Sequence, residues 1–428
     1  MRGWKLLSVL LVLLFTASTS FAAGFRLPEA GAKAMGMGFA FTAQADDPSA
    51  IYFNPAGLTQ LKGQNVMVGG TYVRENGGEF TGTTPVDNAT AIKNETQKSL
   101  NFFIPNAYYT KTNASTGFSY GVGMFAPFGL GQEYKNKSAS IFRNQITKID
   151  LMTVVVNPTV AFKVNEVLSV GFGIDYMYGK ATLEKTPVHP LAGNLYQLKL
   201  EGDGDAWGYN FGLLLKPSEN LRIGANFRSP FTLEIKNGDV EISSVSPAYG
   251  SGLFGPAPSP TKGSAKLAMP ATFALGVAYT MGKLTVEVDA DWTFWSSFGS
   301  LPITIRNQVP TLFSTNAAKK WEDVVALRFG AEYRVTDPLS LRAGFVFDPT
   351  PVPLGTVGPE LPDSDRLNYM LGAGYKIGPW TIDVAGMYID KKDRTVFNTR
   401  LEGGAPAGQG GTWTGNAWLA GLDVGYKF

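Results

Sequence analysis

Ala417-Trp418-Leu419-Ala420-Gly421-Leu422-Asp423-Val424-Gly425-Tyr426-Lys427-Phe428 closes the chain. Stepping back two at a time from the end gives Phe428, Tyr426, Val424, Leu422, Ala420 and Trp418, all apolar, with aromatics toward both ends. The residues between them, Lys427, Gly425, Asp423, Gly421, Leu419 and Ala417, are mostly small or charged. Side chains of a strand alternate between its two faces. The stretch therefore predicts a strand with one greasy face and one small or polar face.

The same split recurs upstream. Leu284, Val286, Val288, Ala290, Trp292 and Phe294 oppose Thr285, Glu287, Asp289, Asp291 and Thr293. Val325, Leu327, Phe329, Ala331 and Tyr333 oppose Ala326, Arg328, Gly330, Glu332 and Arg334. Trp207, Tyr209, Phe211, Leu213 and Leu215 alternate with Gly208, Asn210, Gly212 and Leu214, and Leu221, Ile223, Ala225 and Phe227 with Arg222, Gly224, Asn226 and Arg228. Leu339, Leu341, Ala343, Phe345 and Phe347 oppose Ser340, Arg342, Gly344 and Asp348. Fourteen such segments can be counted between 65–84 and 414–428, and bacterial single-chain barrels have an even number of strands. Tight junctions such as Met281-Gly282-Lys283 and Ile377-Gly378-Pro379 read as periplasmic turns. The longer Gly/Pro/Asn-rich joins, Ser243–Gly263 and Leu401–Thr412, read as outer loops.

A soluble β-sandwich would also alternate, so other features must decide. Arg2 and Lys5 precede the apolar stretch Leu6–Phe15, and small residues follow up to Ala22. That is the pattern of an export signal, which places cleavage after Ala22 and predicts a signal peptide over residues 1–22. An exported chain without a single cysteine has no disulfide framework to support a sandwich. Charged residues are 17% and Gly is 50 of 428, poorer in charge and richer in glycine than soluble domains. No apolar run reaches the roughly 20 residues of a membrane-spanning helix. A closed barrel is the one β structure that satisfies every backbone group in lipid. The expected fold is an all-β membrane protein, a 14-stranded antiparallel transmembrane β-barrel over residues 64–428, in the outer membrane of a Gram-negative bacterium.

Residues 23–63 break the alternation and are rich in Ala, Gly and Met. Asn54-Pro55-Ala56-Gly57 suits a helix start, with Asn capping and Pro in the first turn. A barrel of this size is wider than its inward side chains can fill. Phe39, Phe41, Ile51, Tyr52 and Phe53 would lie exposed in a free tail, so the segment is expected to fill the lumen as an N-terminal hatch, or plug.

Composition excludes several functions. Without cysteine there is no Cys-ligated zinc, iron–sulfur cluster or thiol catalysis. His189 is the one histidine, so no two-His metal site can form. A net charge of +2 without a basic block gives no sign of a nucleic-acid partner. Gly117-Phe118-Ser119-Tyr120-Gly121 matches G-x-S-x-G, but that motif needs a strand–turn–helix elbow and here lies within an alternating strand. The Asp203/Asp205 and Asp363/Asp365 pairs read as solvated loop turns rather than cation sites. No enzyme activity, cofactor or metal is expected.

Several motifs together carry a family resemblance. Ala23-Gly24-Phe25, Ala45-Asp46-Asp47 and Asn54-Pro55-Ala56 resemble the hatch of the outer-membrane transporters of long-chain fatty acids and other hydrophobic compounds, the FadL/TodX family. Pro270, Trp292, Trp295-Ser296, Arg342-Ala343-Gly344, Thr350-Pro351-Val352-Pro353 and Leu361-Pro362-Asp363-Ser364-Asp365-Arg366 follow in the family's order, and Phe428 looks like an assembly signal. The resemblance implies passive uptake of hydrophobic molecules through an internal apolar pocket. It also implies rearrangement of a hatch that includes Phe25, Asn54, Pro55 and Ala56, and lateral exit through the barrel wall at a kinked strand. By position the kink falls at Ala126-Pro127-Phe128-Gly129. Proline cannot donate to a ladder and glycine marks bulges, so the residues agree. A carboxylate headgroup would want cations, and Lys185, Lys319, Lys320 and the mature N-terminal amine are candidates. Glu322 stands where the family often has lysine, so fatty acids and aromatic hydrocarbons both stay open as substrates. The inward charges are expected to pair and hold the hatch. The expected partners are a hydrophobic small molecule and outer-membrane lipid, with the chain acting as a monomer. A polar porin and a surface-binding barrel are the alternatives.

Overall fold

The computed structural model describes residues 24–83, 93–189, 192–243, 245–251, 256–257, 259–306, 315–396 and 410–428. The export signal and its cleavage point lie outside the described residues. Among those described, fourteen strands form one antiparallel barrel. They are β1 (Gly63–Glu75 and Glu79–Thr83), β2 (Lys93–Thr96 and Leu100–Asn113), β3 (Phe118–Phe125 and Gly129–Glu133), β4 (Lys148–Lys163) and β5 (Leu168–Lys185). Next come β6 (Gln197–Leu215), β7 (Leu221–Arg228 and Phe231–Ser243), β8 (Thr261–Met269 and Thr272–Met281) and β9 (Leu284–Thr293 and Ser300–Ile305). The last are β10 (Thr315–Ala318 and Val324–Arg334), β11 (Leu339–Asp348), β12 (Arg366–Ile377), β13 (Trp380–Val396) and β14 (Gly410–Lys427). β1 pairs with β14 from Asn65↔Lys427 to Glu75↔Ala417, which joins the first strand to the last.

The alternation sorts the two faces as its period requires. Trp207 is 66% exposed and Leu371 71%, values that make sense for an outer surface solvated by lipid. Trp380, Tyr426 and Phe428 pack edge-on at the short-turn end, and Tyr176–Trp207 and Tyr388–Trp418 pack toward the loop end. These are the two aromatic girdles that flank such a belt. The opposite residues, among them Asn157, Asp175, Asn210, Glu287, Asp289 and Asp423, are buried in the lumen.

Three sequence expectations change. Asp203 and Asp205 lie inside β6 rather than in an outer loop, on the outward face beside Tyr176 and Tyr178, because the long β5 and β6 carry their ladder beyond the girdle. Asp363 is buried, not solvated, and accepts from Thr350 Oγ1 and Arg366 at 2.6 Å each. Arg334 is exposed at the short-turn end instead of facing the lumen. Ser119 of the G-x-S-x-G match lies in β3 with no helix after it. His189 belongs to a two-residue hairpin with Gly193 and Asn194 in the join after β5.

Candidate functional site

The N-terminal segment lies within the barrel and is almost wholly buried from Gly24 to Leu58. It contains helices α1 (Ala32–Gly36) and α2 (Ala50–Phe53) and a 3-10 turn at Pro55–Gln60. Asn54 caps that turn through Oδ1, which accepts from Ala56 N–H at 3.1 Å. Its Nδ2 donates to Thr42 O at 2.7 Å and to Leu213 O of β6 at 2.9 Å. Asn54, Pro55 and Ala56 thus pin the segment to the wall, away from the apolar cavity described below. Glycines let the backbones meet: a methyl built on Gly171 would lie 2.4 Å from Pro55 C, and one on Gly344 only 2.0 Å from Gly38 N.

Barrel carboxylates clasp the same segment through its backbone. Phe41 and Thr42 N–H both donate to Asp289 Oδ2 at 3.0 Å. Ala43 and Gln44 N–H donate to Glu287 at 2.6 and 2.9 Å, and Ala32 N–H to Asp423 at 2.5 Å. Ion pairs surround these contacts: Lys33 with Asp46, Arg342 with Glu332 and Asp383, Arg328 with Asp291, and Arg228 with Asp175. Such charge-assisted bonds are worth about 1.5–3 kcal/mol each. Two carboxyls of the segment are less well matched: burial pushes Glu29 up to about 7, with Arg366 and Arg328 opposing the rise, and Asp47 likewise to about 7, with Lys33 and Ser49 opposing it.

The wall itself is incomplete between β2 and β3. The β2–β3 ladder runs from Asn113↔Phe118 to Ala107↔Met124 and then stops. It is next met at the single bridge Gln97↔Tyr134. Between them β3 is interrupted at Ala126–Phe128, and its second piece pairs with β4 from Gly129↔Met152 to Glu133↔Lys148, meeting the β2 side again only where Glu133 O accepts from Lys98 N–H. Continuing the register would set Pro105 opposite Ala126, so a proline on each strand marks the end of pairing. The kink expected at Ala126-Pro127-Phe128-Gly129 is therefore a break in the wall. Its inner edge is taken up by the leading residues of the chain: Leu27 N–H donates to Pro127 O at 2.8 Å and Gly129 N–H to Phe25 O at 3.0 Å. Phe102 of β2 stands across the seam, its ring where a side chain on Gly131 would be.

Beside the seam, inside the barrel, is an apolar cavity of about 90 Å³. Leu130 comes from the second piece of β3, and Leu151, Leu183, Leu200, Leu233 and Leu267 come from β4 to β8. Phe25 reaches it from the N-terminal segment and packs against Trp295, Phe298 and Trp321, with ring centroids 4.7, 5.5 and 5.7 Å away. The join between β11 and β12 folds in from the loop end and adds Val352, Thr356 and Leu361. The inner face changes character along each strand. On β4 it reads Asn157, Val155, Thr153, Leu151 from the level of the N-terminal segment upward.

Of the expected cations, Lys319 lines this cavity and is paired with Glu360. Lys320 is exposed, on a left-handed backbone with φ 49°. Lys185 ends β5 and is not part of the lining. The amine expected at Ala23 after cleavage lies outside the described residues; the next residue, Gly24, donates its N–H to Asp363 at 2.9 Å. Sequence reasoning missed Phe102, Pro105 and the leucine ring. Pro105, in a strand adjacent to the one holding Pro127, was the available signal.

A closed antiparallel barrel with a lipid-facing belt and a filled lumen defines an outer-membrane transport barrel. The chain belongs to the outer membrane protein transport protein family (OMPP1/FadL/TodX), whose pattern it matches over residues 13–428. It is 26% identical over 448 residues to the long-chain fatty acid transport protein of Escherichia coli O6:H1, covering 96% of each chain. It is 29% identical over 432 residues to the 47 kDa outer membrane protein of Pasteurella multocida, again covering 96% of each. Among solved structures, a Pseudomonas aeruginosa FadL homologue superposes with a TM-score of 0.81 at 20% identity, covering 95% of this chain and 100% of the other. The Pseudomonas putida toluene transporter TodX gives 0.70 at 18%, covering 94% and 99%. At these identities the structural likeness concerns the fold.

Proposed function

We propose that the protein takes up hydrophobic molecules, long-chain fatty acids or aromatic hydrocarbons, through the apolar cavity and releases them sideways through the seam between β2 and β3. The carrying observation is the contact between cavity and seam: Leu130 lines the one on the strand that forms the other, and Phe25, in the lining, and Leu27, on Pro127, cover them from inside. Burying a CH₂ is worth about 0.8 kcal/mol, so a long acyl tail gains on the order of 10 kcal/mol in a dry pocket. A site that kept this gain would trap its ligand, so release requires the pocket to change shape. The cavity as it stands, about 90 Å³, is smaller than the ~150 Å³ that admits benzene to a protein interior. Loading therefore also requires its walls to part. The short pairing of Phe25–Leu27 with Pro127–Gly129 is the contact that would move, and it frees pocket and seam together. Exit into the bilayer keeps the tail out of water throughout.

The names of the relatives, one a fatty-acid transporter and one a toluene transporter, support this substrate range. The test is uptake of labelled oleate and toluene by cells with and without the protein. Replacing Ala126–Gly129 by a regular strand sequence is expected to cut uptake severely while barrel assembly, read by heat-modifiable gel mobility, stays intact. Normal uptake by an assembled, straightened barrel would refute the lateral route.

A further inference from the structure

The short-turn end of the barrel carries its charges differently from the loop end. At its last rungs Tyr279, Tyr333, Tyr375 and Tyr426 continue the lipid-facing rows, so the residues of opposite parity turn toward the mouth of the bore. On strand after strand that residue is a cation: Lys216 at the end of β6, Arg222 of β7, Lys283 before β9, Arg334 of β10, Lys376 of β12 and Lys427 of β14. Their register partners are uncharged. Arg222 stands opposite Ala278, Arg334 opposite Ser340, Lys376 opposite Thr381 and Lys427 opposite Asn65.

Among the described residues none of the six is in an ion pair, whereas Lys163, the corresponding residue of β4, holds Glu166 at 2.6 Å. Arg222 donates to Thr280 Oγ1 at 3.3 Å and Lys283 to Val335 O at 3.2 Å, both neutral acceptors. Glu219 and Asp337, in the turns, are exposed. Crowding of like charge is felt at Lys216: burial lowers its ammonium pKa first, Arg222 and Lys163 lower it further, and Asp46 and Glu166 oppose them. At the loop end, by contrast, outward lysines are matched. Lys180 and Lys199 meet Glu201 at 2.5 and 2.8 Å, Lys262 meets Asp239 at 2.5 Å, and Lys266 meets Glu234 at 2.6 Å. The whole chain is close to neutral, with 37 basic and 35 acidic residues, so the excess at the mouth is local.

The arc runs from β6 to β14, which at about 4.8 Å per strand spacing covers roughly 40 Å of wall. No small anion bridges that distance. Lipid is met by the tyrosine rows on the other face, and the short turns of such barrels lie in the periplasm. A rim of one sign concentrates molecules of the other and speeds their encounter. We propose that this cationic arc is a docking surface for a soluble periplasmic protein with an acidic face, seated over the mouth beneath the N-terminal segment. The inference stands apart from the importer reading, since it concerns what comes to the mouth and not what crosses the wall.

The probe is a fluorescein-labelled decaglutamate peptide, with labelled decaglutamine as its neutral control. Each is titrated into the purified barrel in non-ionic detergent and read by anisotropy. The glutamate peptide is expected to bind and the glutamine peptide not. Its affinity should fall at least tenfold between about 0.01 M and about 1 M salt, as the screening length shortens from about 30 Å to about 3 Å. Arg222→Gln/Arg334→Gln/Lys376→Gln/Lys427→Gln is expected to weaken binding by roughly tenfold or more, four exposed charge contacts being lost. Lys180→Gln/Lys199→Gln/Lys262→Gln/Lys266→Gln removes as much charge at the loop end and is expected to leave binding within about twofold, those lysines lying far from the mouth. If the fourfold mouth variant fails to assemble, Arg334→Gln/Lys376→Gln alters two exposed side chains alone and should weaken binding by roughly threefold. No binding by the unmodified barrel, or equal loss in the mouth and loop-end variants, would overturn the docking surface. Retention of phosphatidylglycerol by the unmodified barrel but not by the mouth variant, with the peptide bound by neither, would assign the arc to lipid headgroups instead.

Discussion

The N-terminal segment is held in two different ways along its length. From Gly31 to Gln60 it is clasped by Asp423, Asp289 and Glu287, pinned by Asn54, and pressed against glycines of β5, β6, β7, β10 and β11. From Gly24 to Leu27 it is held by a two-bond imitation of a strand against Pro127 and Gly129, by Gly24 between Asp363 and Arg366, by Arg26 on Asp291 and Thr293, by Tyr52 donating to Leu27 O, and by Phe25 among three aromatic rings. The first region interlocks backbone with backbone. The second lines a cavity with Phe25 and covers an unpaired strand edge, so on the proposed route it is the part that would move. The proposed route needs that contrast between a stopper and a latch on one chain. In lipid, an edge with unmet N–H and C=O groups is expensive, and the pairing of Phe25–Leu27 with Pro127–Gly129 meets two of them.

The contrast can be broken from either side. Removing the clasp with Glu287→Ala/Asp289→Ala leaves four buried N–H groups without acceptors, a loss of several times the roughly 1–3 kcal/mol each unmet group costs. The stopper is expected to come loose, raising ion conductance in planar bilayers from near silence to open-pore steps. Unchanged conductance in an assembled double variant would mean that the clasp does not hold the plug. Gly344→Val is expected to act in the same direction but less strongly. Overpacking a tight contact costs about 1–3 kcal/mol, so the undocked population should grow by roughly 5- to 150-fold. Protease sensitivity of residues 24–60 reads this out, and equal sensitivity in variant and parent would count against a tight backbone crossing.

Smaller effects probe the latch. Phe102→Ala removes the ring that stands across the seam at Gly131, and uptake of hydrophobic substrates should quicken by a few-fold. Slower uptake would assign Phe102 to the route itself rather than to its cover. Last comes pH. Glu29, with Arg366, Arg328 and Asp348 around it, has its carboxyl raised from the ordinary 4.5 to about 7 by burial. The docked form therefore holds a proton that the undocked form releases, and docking weakens as pH rises from about 4.5 to about 7, then levels off. Hydrogen exchange across residues 24–30, corrected for intrinsic rates, should show protection falling through that window. Glu29→Gln should make the profile flat, and a persistent slope would point to a different group.

Much of this was legible in the sequence, and the boundary of legibility is physical. Alternation is a local property, so Trp418–Phe428 alone declares a two-faced strand, and repetition of the pattern with short and long joins yields fourteen strands closing on themselves. The break of period over 23–63 and the Asn54-Pro55 start give the stopper its place and its turn. Pro127 with Gly129 marks the interrupted strand. Of the lysines expected to meet a headgroup, Lys319 reaches the apolar cavity while Lys185 and Lys320 do not, because nearness to a strand end says nothing about which cavity a side chain reaches. Asp203, Asp205 and Asp363 changed setting for a related reason: strand length and the infolding of the β11–β12 join are decided by partners far along the chain.

What the sequence determined by itself was therefore the ladder and its faces: lipid outside, polar and small residues within, a segment left over to fill the bore. The tertiary structure alone decided the rest. Leu130, Leu151, Leu183, Leu200, Leu233 and Leu267 become one pocket because register stacks them at one height on neighbouring strands. Arg26, Arg228 and Arg328 meet because a strand-like stretch of the stopper lies beside β3 and carries its second residue under the kink. Neither meeting has a period or a spacing to betray it, since each joins residues separated by up to hundreds of positions through the closure of a ring.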